Sequence, residues 1–291
     1  MSFVVCLDKD AGMTSHDAVV RTKKTLKVKK AGHAGTLDPM ATGVLLICIG
    51  EATKAAGLFS DLDKEYTATL KLGEITDTYD AEGRVVETHD TAGISEKAVL
   101  DSLTAFRGTI EQVPPMYSAL KRNGEPLYQL ARRGIEVHRD PRPVTIYSLE
   151  ALAVDIPFVR LRVACSKGTY IRSLCHDIGM RLGVGAHLTE LARDRVGPFV
   201  RERCARLGEL PERSDALLPL DDALGHLPAA CFSGLALTRA RHGNPIRMGD
   251  AEMIAPAVGS GPVRLLDDQG KLFGIGTVRM GSVHVARLLH I

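Results

Sequence analysis

Apolar and polar positions alternate along several stretches of the chain and predict strands. Tyr66, Ala68, Leu70 and Leu72 alternate with Thr67, Thr69 and Lys71, and Val159, Leu161, Val163 and Cys165 alternate with Arg160 and Arg162. Glu82-Gly83 then precedes the short apolar pair Val85-Val86, a further strand. Elsewhere the spacing is helical. Val99, Leu100, Leu103 and Phe106 share one face of a helix that starts near Ser95 and stops at Gly108. Ile171, Leu174, Cys175, Ile178 and Leu182 line another, with Ser166-Lys167-Gly168 turning the chain before it and Thr169 predicted as its cap. Thr14 followed by Asp17 resembles a capping box, opening a helix with Ala18, Val19 and Thr22 on one side. Strands and helices at hairpin-like spacings predict an α+β fold: a mixed, mainly antiparallel central sheet with flanking helices.

Composition shifts over residues 208 to 230, where Pro211, Pro219 and Pro228 punctuate acidic and apolar stretches. Beyond them, Val263 to Leu266 and Leu272 to Val278 flank the turn sequence Asp267-Asp268-Gln269-Gly270. The chain therefore divides, on sequence, into a large domain over 1–230 and a small β-rich domain over 231–291.

Charge changes this picture only locally. The formal net charge of 291 residues is +2, too small to announce a nucleic-acid partner. Basic residues bunch, however, at Arg21 to Lys30, Arg132 to Arg142 and Arg193 to Arg206, each readable as a solvated face or as a phosphate contact. The six cysteines (Cys6, Cys48, Cys165, Cys175, Cys204 and Cys231) form no C-x-x-C pair, so zinc and disulfide frameworks are disfavoured and buried thiols expected. No apolar run approaches a membrane span, and Phe3 to Leu7 is too short for a signal peptide; the expected location is the cytoplasm.

The most unusual stretch runs from Ala31 to Gly43: three glycines, Pro39, His33 and the single acid Asp38, followed by the apolar run Val44 to Ile49. Glycine permits close backbone approach, and Pro39 keeps Asp38 out of the helical region. The pattern predicts a rigid loop beside a buried strand, its carboxylate either presented to a ligand or capping a backbone amide. It matches neither a phosphate-binding loop nor a dinucleotide fingerprint, and no second His or carboxylate lies close enough in sequence for a metal site.

Gly32-His33-Ala34-Gly35-Thr36-Leu37-Asp38-Pro39 with Ala41-Thr42-Gly43 resembles the signature of the TruB-type tRNA pseudouridine synthases. So do Gly50 to Lys54, Asp63-Lys64-Glu65-Tyr66, Leu72-Gly73, Thr76 to Asp80, Pro114 to Lys121, Cys165 to Leu174 and Gly185-Ala186-His187-Leu188. These blocks keep the family's order over about residues 5 to 200. Lys9-Asp10 departs from the family's usual Lys-Pro.

The resemblance implies a pseudouridine synthase fold with a PUA-like C-terminal domain, and isomerisation of the T-loop uridine of transfer RNA. It implies Asp38 as nucleophile, Arg172 pairing with it, and Tyr66 against the flipped base. Tyr170 and Leu191 would contact the substrate, His33 would stack or wedge where the base has left, and Asp80 would hold part of the RNA loop. The segment 132–142 would close over the RNA. The reaction gains and loses no atoms and is redox-neutral, so no cofactor and no metal are expected. The expected partner is the T-stem loop of tRNA, bound by a monomer with no protein partner and no membrane. Attack at ribose C1′ and at uracil C6 both stay open. An RNA-folding protein without catalysis is the alternative function.

Overall fold

The computed structural model describes residues 2–122, 124–254 and 260–290. Its strands run Phe3–Lys9 (β1), Ala31–Ala34 (β2), Thr42–Ile49 (β3), Lys64–Leu72 (β4), Glu74–Thr76 (β5), Val85–Thr88 (β6), Gly108–Gln112 (β7), Lys121–Arg122 (β8), Glu125–Pro126 (β9), Arg142–Asp155 (β10), Phe158–Cys165 (β11), Ala186–Val196 (β12), Phe199–Val200 (β13) and Leu217–Pro219 (β14). Most join one sheet in the order β14-β1-β3-β12-β4-β11-β10-β7, with β2 added beside β3 and β13 beside β12. Its pairings are antiparallel except β3 with β12, so the mainly antiparallel prediction holds. Helix Ile171–Arg181 and helix Glu96–Leu103 pack on one face around Leu70, Leu161, Val163 and Leu174.

The parallel pairing of β3 with β12 positions the site. Thr42 and Gly43 lie opposite Ala192 and Arg193, and Arg193 in turn lies opposite Tyr66. The exit of the 35–43 loop, the Arg193 position and Tyr66 are thus lateral neighbours on three strands. The approach is close enough to require glycine: a Cβ on Gly43, whose φ is +100°, would sit 2.2 Å from the Arg193 carbonyl oxygen. Gly43→Ala is expected to cost about 2–4 kcal/mol of stability in denaturant unfolding. A loss under about 0.5 kcal/mol would contradict this packing.

Local predictions fare unevenly. Thr14 and Asp17 form the capping box of helix Ser15–Thr25, and Ser95 caps helix Glu96–Leu103 by accepting from the Ala98 amide. Thr169 does not cap the next helix. Its hydroxyl donates to the Ser166 carbonyl and closes the preceding turn, so the N-cap position falls to Tyr170. Leu100, assigned to the buried face, is 44% exposed because Val99, Ser102 and Leu103 are the residues that turn inward there. Phe106 lies in a 3₁₀ turn after that helix, and β6 pairs with the short β5 rather than with the main sheet.

A second sheet combines Ala229–Cys231 (β15), Ile246–Arg247 (β16), Glu252–Ile254 (β17), Gly261–Leu266 (β18), Leu272–Arg279 (β19) and Ser282–Leu288 (β20) in the order β16-β20-β19-β18-β15-β17. The predicted hairpin is β18–β19, its turn held by the Asp267 carboxylate accepting from the Gln269 and Lys271 amides. Leu266, Leu272 and Ile275 pack this sheet against Val4, Leu46 and Phe199 of the larger domain.

Candidate active site

Asp38 sits in the loop between β2 and β3, and its backbone is fixed from several sides. Ser15 clasps Leu37, its hydroxyl accepting from the Leu37 amide at 2.8 Å and facing the Leu37 carbonyl at 3.1 Å. The Gly12 amide donates to the Pro39 carbonyl, and the Ala41 amide to that of Asp38. Two fully buried cations complete the frame. Lys9 Nζ donates to the carbonyls of Asp10, Met13 and Pro39 at 3.0, 2.9 and 3.1 Å. Arg193 donates to those of Val44, Thr36 and Gly35 at 2.7, 3.3 and 3.1 Å. Charged donors on carbonyls make stronger hydrogen bonds than neutral ones, so the loop is rigid where the chemistry needs it.

The carboxylate itself meets Arg172, in the first turn of helix Ile171–Arg181. Nε lies 2.9 Å from Oδ2 and Nη2 lies 3.1 Å from Oδ1, a two-pronged pairing. Arg172 is locked in turn: Nη1 donates to the Thr78 carbonyl at 3.1 Å and Nη2 to the Tyr117 carbonyl at 2.8 Å. The Asp80 carboxylate stands 3.4 Å from Nη1. Side-chain exposure is 5% for both Arg172 and Asp80 but 29% for Asp38. The cation is sealed, and its preferred anion still faces outward. A carboxylate held in one direction and open on one side is arranged to attack a bound electrophile.

Around it the predicted residues lie at different depths. Tyr66 and Leu191 are buried in the core cluster that also contains Leu37. The Tyr66 hydroxyl has the Arg193 guanidinium and Asp38 nearby, and burial raises its pKa above the ordinary tyrosine value. Tyr170 is half-buried, its hydroxyl also pushed up by burial, with Ser118, Arg172 and Asp38 close to it. Its backbone is clamped by Gln112, which accepts from the Tyr170 amide at 2.7 Å and donates to its carbonyl at 3.0 Å. His33 lies on β2 with Nδ1 buried and unbonded among the described residues. Burial lowers its pKa, helped by Arg193 and His16, so the ring is neutral at neutral pH and suited to stacking. Asp80, expected at the RNA loop, is buried facing Arg172 and accepts from the Thr78 hydroxyl and the Glu82 amide.

The site residues that sequence reading missed are Lys9, Ser15, Gln112 and Arg193. The signal for two of them was present. Lys9 falls on the inward phase of Val5 and Leu7, and Arg193 on that of Leu191, so each is a cation where an apolar side chain belongs. Arg193 opens the basic bunch over 193–206, and its guanidinium is buried against the loop carbonyls.

Burial brings the Lys9 pKa down to about 8, against the opposing pull of Asp38 and Asp10. Lys64 is lowered to about 8 as well, also by burial. Above pH 8 Lys9 becomes an amine with one fewer N–H than its three carbonyls can accept. Turnover is expected to fall through pH 8–9, and Lys9→Met to start slower and lose that alkaline limb, while Lys64 remains in place. A limb unchanged in Lys9→Met would contradict the assignment. The stability effect has the opposite sign. Unfolded lysine keeps its proton up to its ordinary value of 10.5, so between pH 8 and 10.5 the unfolded state binds more protons and this group favours folding as pH rises.

The family model for the N-terminal domain of TruB family pseudouridylate synthases matches residues 23–171, and that for the C-terminal domain of tRNA pseudouridylate synthase B matches residues 172–224. The chain belongs to the TruB family of pseudouridylate synthases. Curated relatives of nearly the same length are called tRNA pseudouridine synthase B. The protein from Burkholderia pseudomallei is 44% identical, over 98% of this chain and 96% of its own. That from Dechloromonas aromatica is 47% identical over 96% and 92%, and that from Geobacter sulfurreducens 47% over 87% and 85%. Among solved structures, a chain of a Cbf5-Nop10-Gar1 complex aligns with TM-score 0.77 and 29% identity over 98% of this chain and 84% of that one. A chain of an H/ACA RNP bound to a substrate RNA containing 2′-deoxyuridine aligns with TM-score 0.76 and 27% identity, over 99% and 85%. No helix among the described residues is long and apolar enough to cross a membrane.

Proposed function

We propose that this protein converts the T-loop uridine of transfer RNA to pseudouridine, with Asp38 as the nucleophile. The observation that carries this reading is the Asp38–Arg172 pair: a carboxylate gripped at both oxygens from its buried side and open on the other. The relatives named tRNA pseudouridine synthase B supply the substrate class.

In the reaction the bond from uracil N1 to ribose C1′ breaks, the base turns, C5 joins C1′, the proton on C5 leaves to solvent, and N1 takes up a proton. Asp38 forms a transient ester or adduct at C1′ or at C6 and is regenerated. Arg172 directs it, and Asp80 directs Arg172. The base must first leave the stack of its loop. Tyr66 and Leu191 form the apolar wall against it, Tyr170 borders it beside Ser118, and the neutral His33 ring fills the vacated space. Loop recognition of this kind reads shape and splayed bases. The basic segment 132–142, where Arg132, Arg133 and Gly134 are exposed, closes over the phosphates. Residues 1–230 carry the catalysis, and 231–291 act as a PUA-like RNA-binding domain. The enzyme works in the cytoplasm as a monomer, without protein partner, metal or cofactor.

Release of tritium from uridine labelled at C5 within transfer RNA tests the reading, because the C5 proton must depart. Stoichiometric release from the T-loop position is the expected result. RNA binding with no release would assign the chain to RNA folding instead.

A further inference from the structure

Cys6 and Cys204 stand outside the catalytic site and next to each other. Leu7 and Ala205 form a parallel bridge, the Ala205 amide donating to the Cys6 carbonyl at 3.0 Å and the Asp8 amide to the Ala205 carbonyl at 2.9 Å. Each cysteine immediately precedes a bridged residue, so the two side chains leave the same face of adjacent extended segments. Segments paired in this way lie about 5 Å apart. That is within the roughly 4.4–6.8 Å between Cα atoms that a disulfide spans. The two thiols are buried in one apolar cluster with Phe199 and Leu220 and are electrostatic neighbours, while the Cys204 thiol donates to the Val200 carbonyl at 3.5 Å. An ion pair from Arg201 to Asp8, at 3.1 Å, fixes the flank of the same junction.

We propose that Cys6 and Cys204 are an oxidisable pair that forms a reversible disulfide when the protein meets a peroxide. Cys6 borders a cleft of about 630 Å³ that Phe199, Val200, Arg203, Asp222 and His226 also line, which gives a small oxidant a route to its sulfur. Cys6 sulfur attacks the peroxide O–O bond, giving a sulfenic acid and one water. Cys204 sulfur then displaces hydroxide from that sulfenic acid, which leaves as the second water. Two thiols lose two electrons and two protons, and one peroxide becomes two waters. The neighbouring Cys6 thiol, together with burial, pushes the Cys204 thiol up from its ordinary value, so its thiolate is scarce and the pair reacts slowly.

The link falls on the side of β1 away from catalysis. Val4 and Cys6 pack into the cluster with Phe59 and Phe199, whereas Val5 and Leu7 face the cluster of Leu37, Tyr66 and Leu191. Lys9 shares the phase of Val5 and Leu7. Closing a ring of roughly 200 residues without moving the loop should stabilise the fold and spare its activity.

Hydrogen peroxide treatment of the full chain, followed by denaturation, thiol alkylation and mass spectrometry, tests the pair. The expected product has lost two hydrogens, has two fewer alkylatable thiols, and yields a linked Cys6–Cys204 peptide that dithiothreitol releases. Its thermal midpoint should rise by about 5 °C or more. Tritium release should stay within about twofold of the reduced protein. Cys204→Ser and Cys6→Ala should each abolish both the link and the rise. Recovery of Cys6 as a sulfinic or sulfonic acid, a link to another cysteine, or a linked protein that melts no higher would overturn the proposal; the mass readout on the unaltered chain decides even if either variant folds poorly.

Discussion

Replacing Asp38 with Asn is expected to lower tritium release from transfer RNA by roughly 10⁴-fold or more, while changing RNA affinity less than about threefold. Asn keeps the shape of the side chain and one oxygen for Arg172, so the loop frame of Ser15, Lys9 and Arg193 has no reason to move. What disappears is the anion proposed to form the covalent bond. Single-turnover release and filter binding with the same RNA separate these two quantities. Turnover within about tenfold of the unaltered protein would remove Asp38 from the nucleophile role.

Arg172 should show two distinct effects. Arg172→Met leaves Asp80 buried with no cation at 3.4 Å and leaves the Thr78 and Tyr117 carbonyls without that donor. Breaking a buried pair from one side costs about 3–5 kcal/mol, so this variant should be much less stable in denaturant. Adding Asp80→Asn should recover part of that loss, since the stranded charge is then gone. Arg172→Lys keeps a charge but cannot grip both Asp38 oxygens, and its turnover should drop by roughly 10²–10³-fold with little change in KM. Equal stability of the Met variant, or full activity of the Lys variant, would contradict the pairing described here.

The sequence made some of this legible for definite reasons. The Thr14–Asp17 box, the alternation of β4 and β11 and the Asp267–Gly270 turn are local patterns, and local patterns survive folding. The Asp38 loop stood out because glycine and proline are conspicuous in sequence. Most of what stayed hidden was non-local. Nothing near Thr42 announces that β3 would lie parallel to β12, a strand about 150 residues later. Thr169 has the chemistry of a cap, but a competing carbonyl at Ser166 takes its hydroxyl. Asp80 stands two residues from Thr78 and 92 from Arg172 in sequence, and only the folded chain shows that the arginine is its partner. The assignment of roles to Asp38, Tyr66 and Arg172 came from resemblance; the geometry adds that Asp38 and Arg172 are bonded to each other and that Tyr66 has Asp38 as a neighbour.

The most direct test of the nucleophile is where the RNA becomes attached during turnover. Rapid acid quench of a single turnover, digestion with ribonuclease and protease, and mass spectrometry should find a nucleotide-derived mass on the peptide containing Asp38, absent in Asp38→Asn. The same mass on Tyr66 or any other side chain, with Asp38 unmodified, would contradict the account.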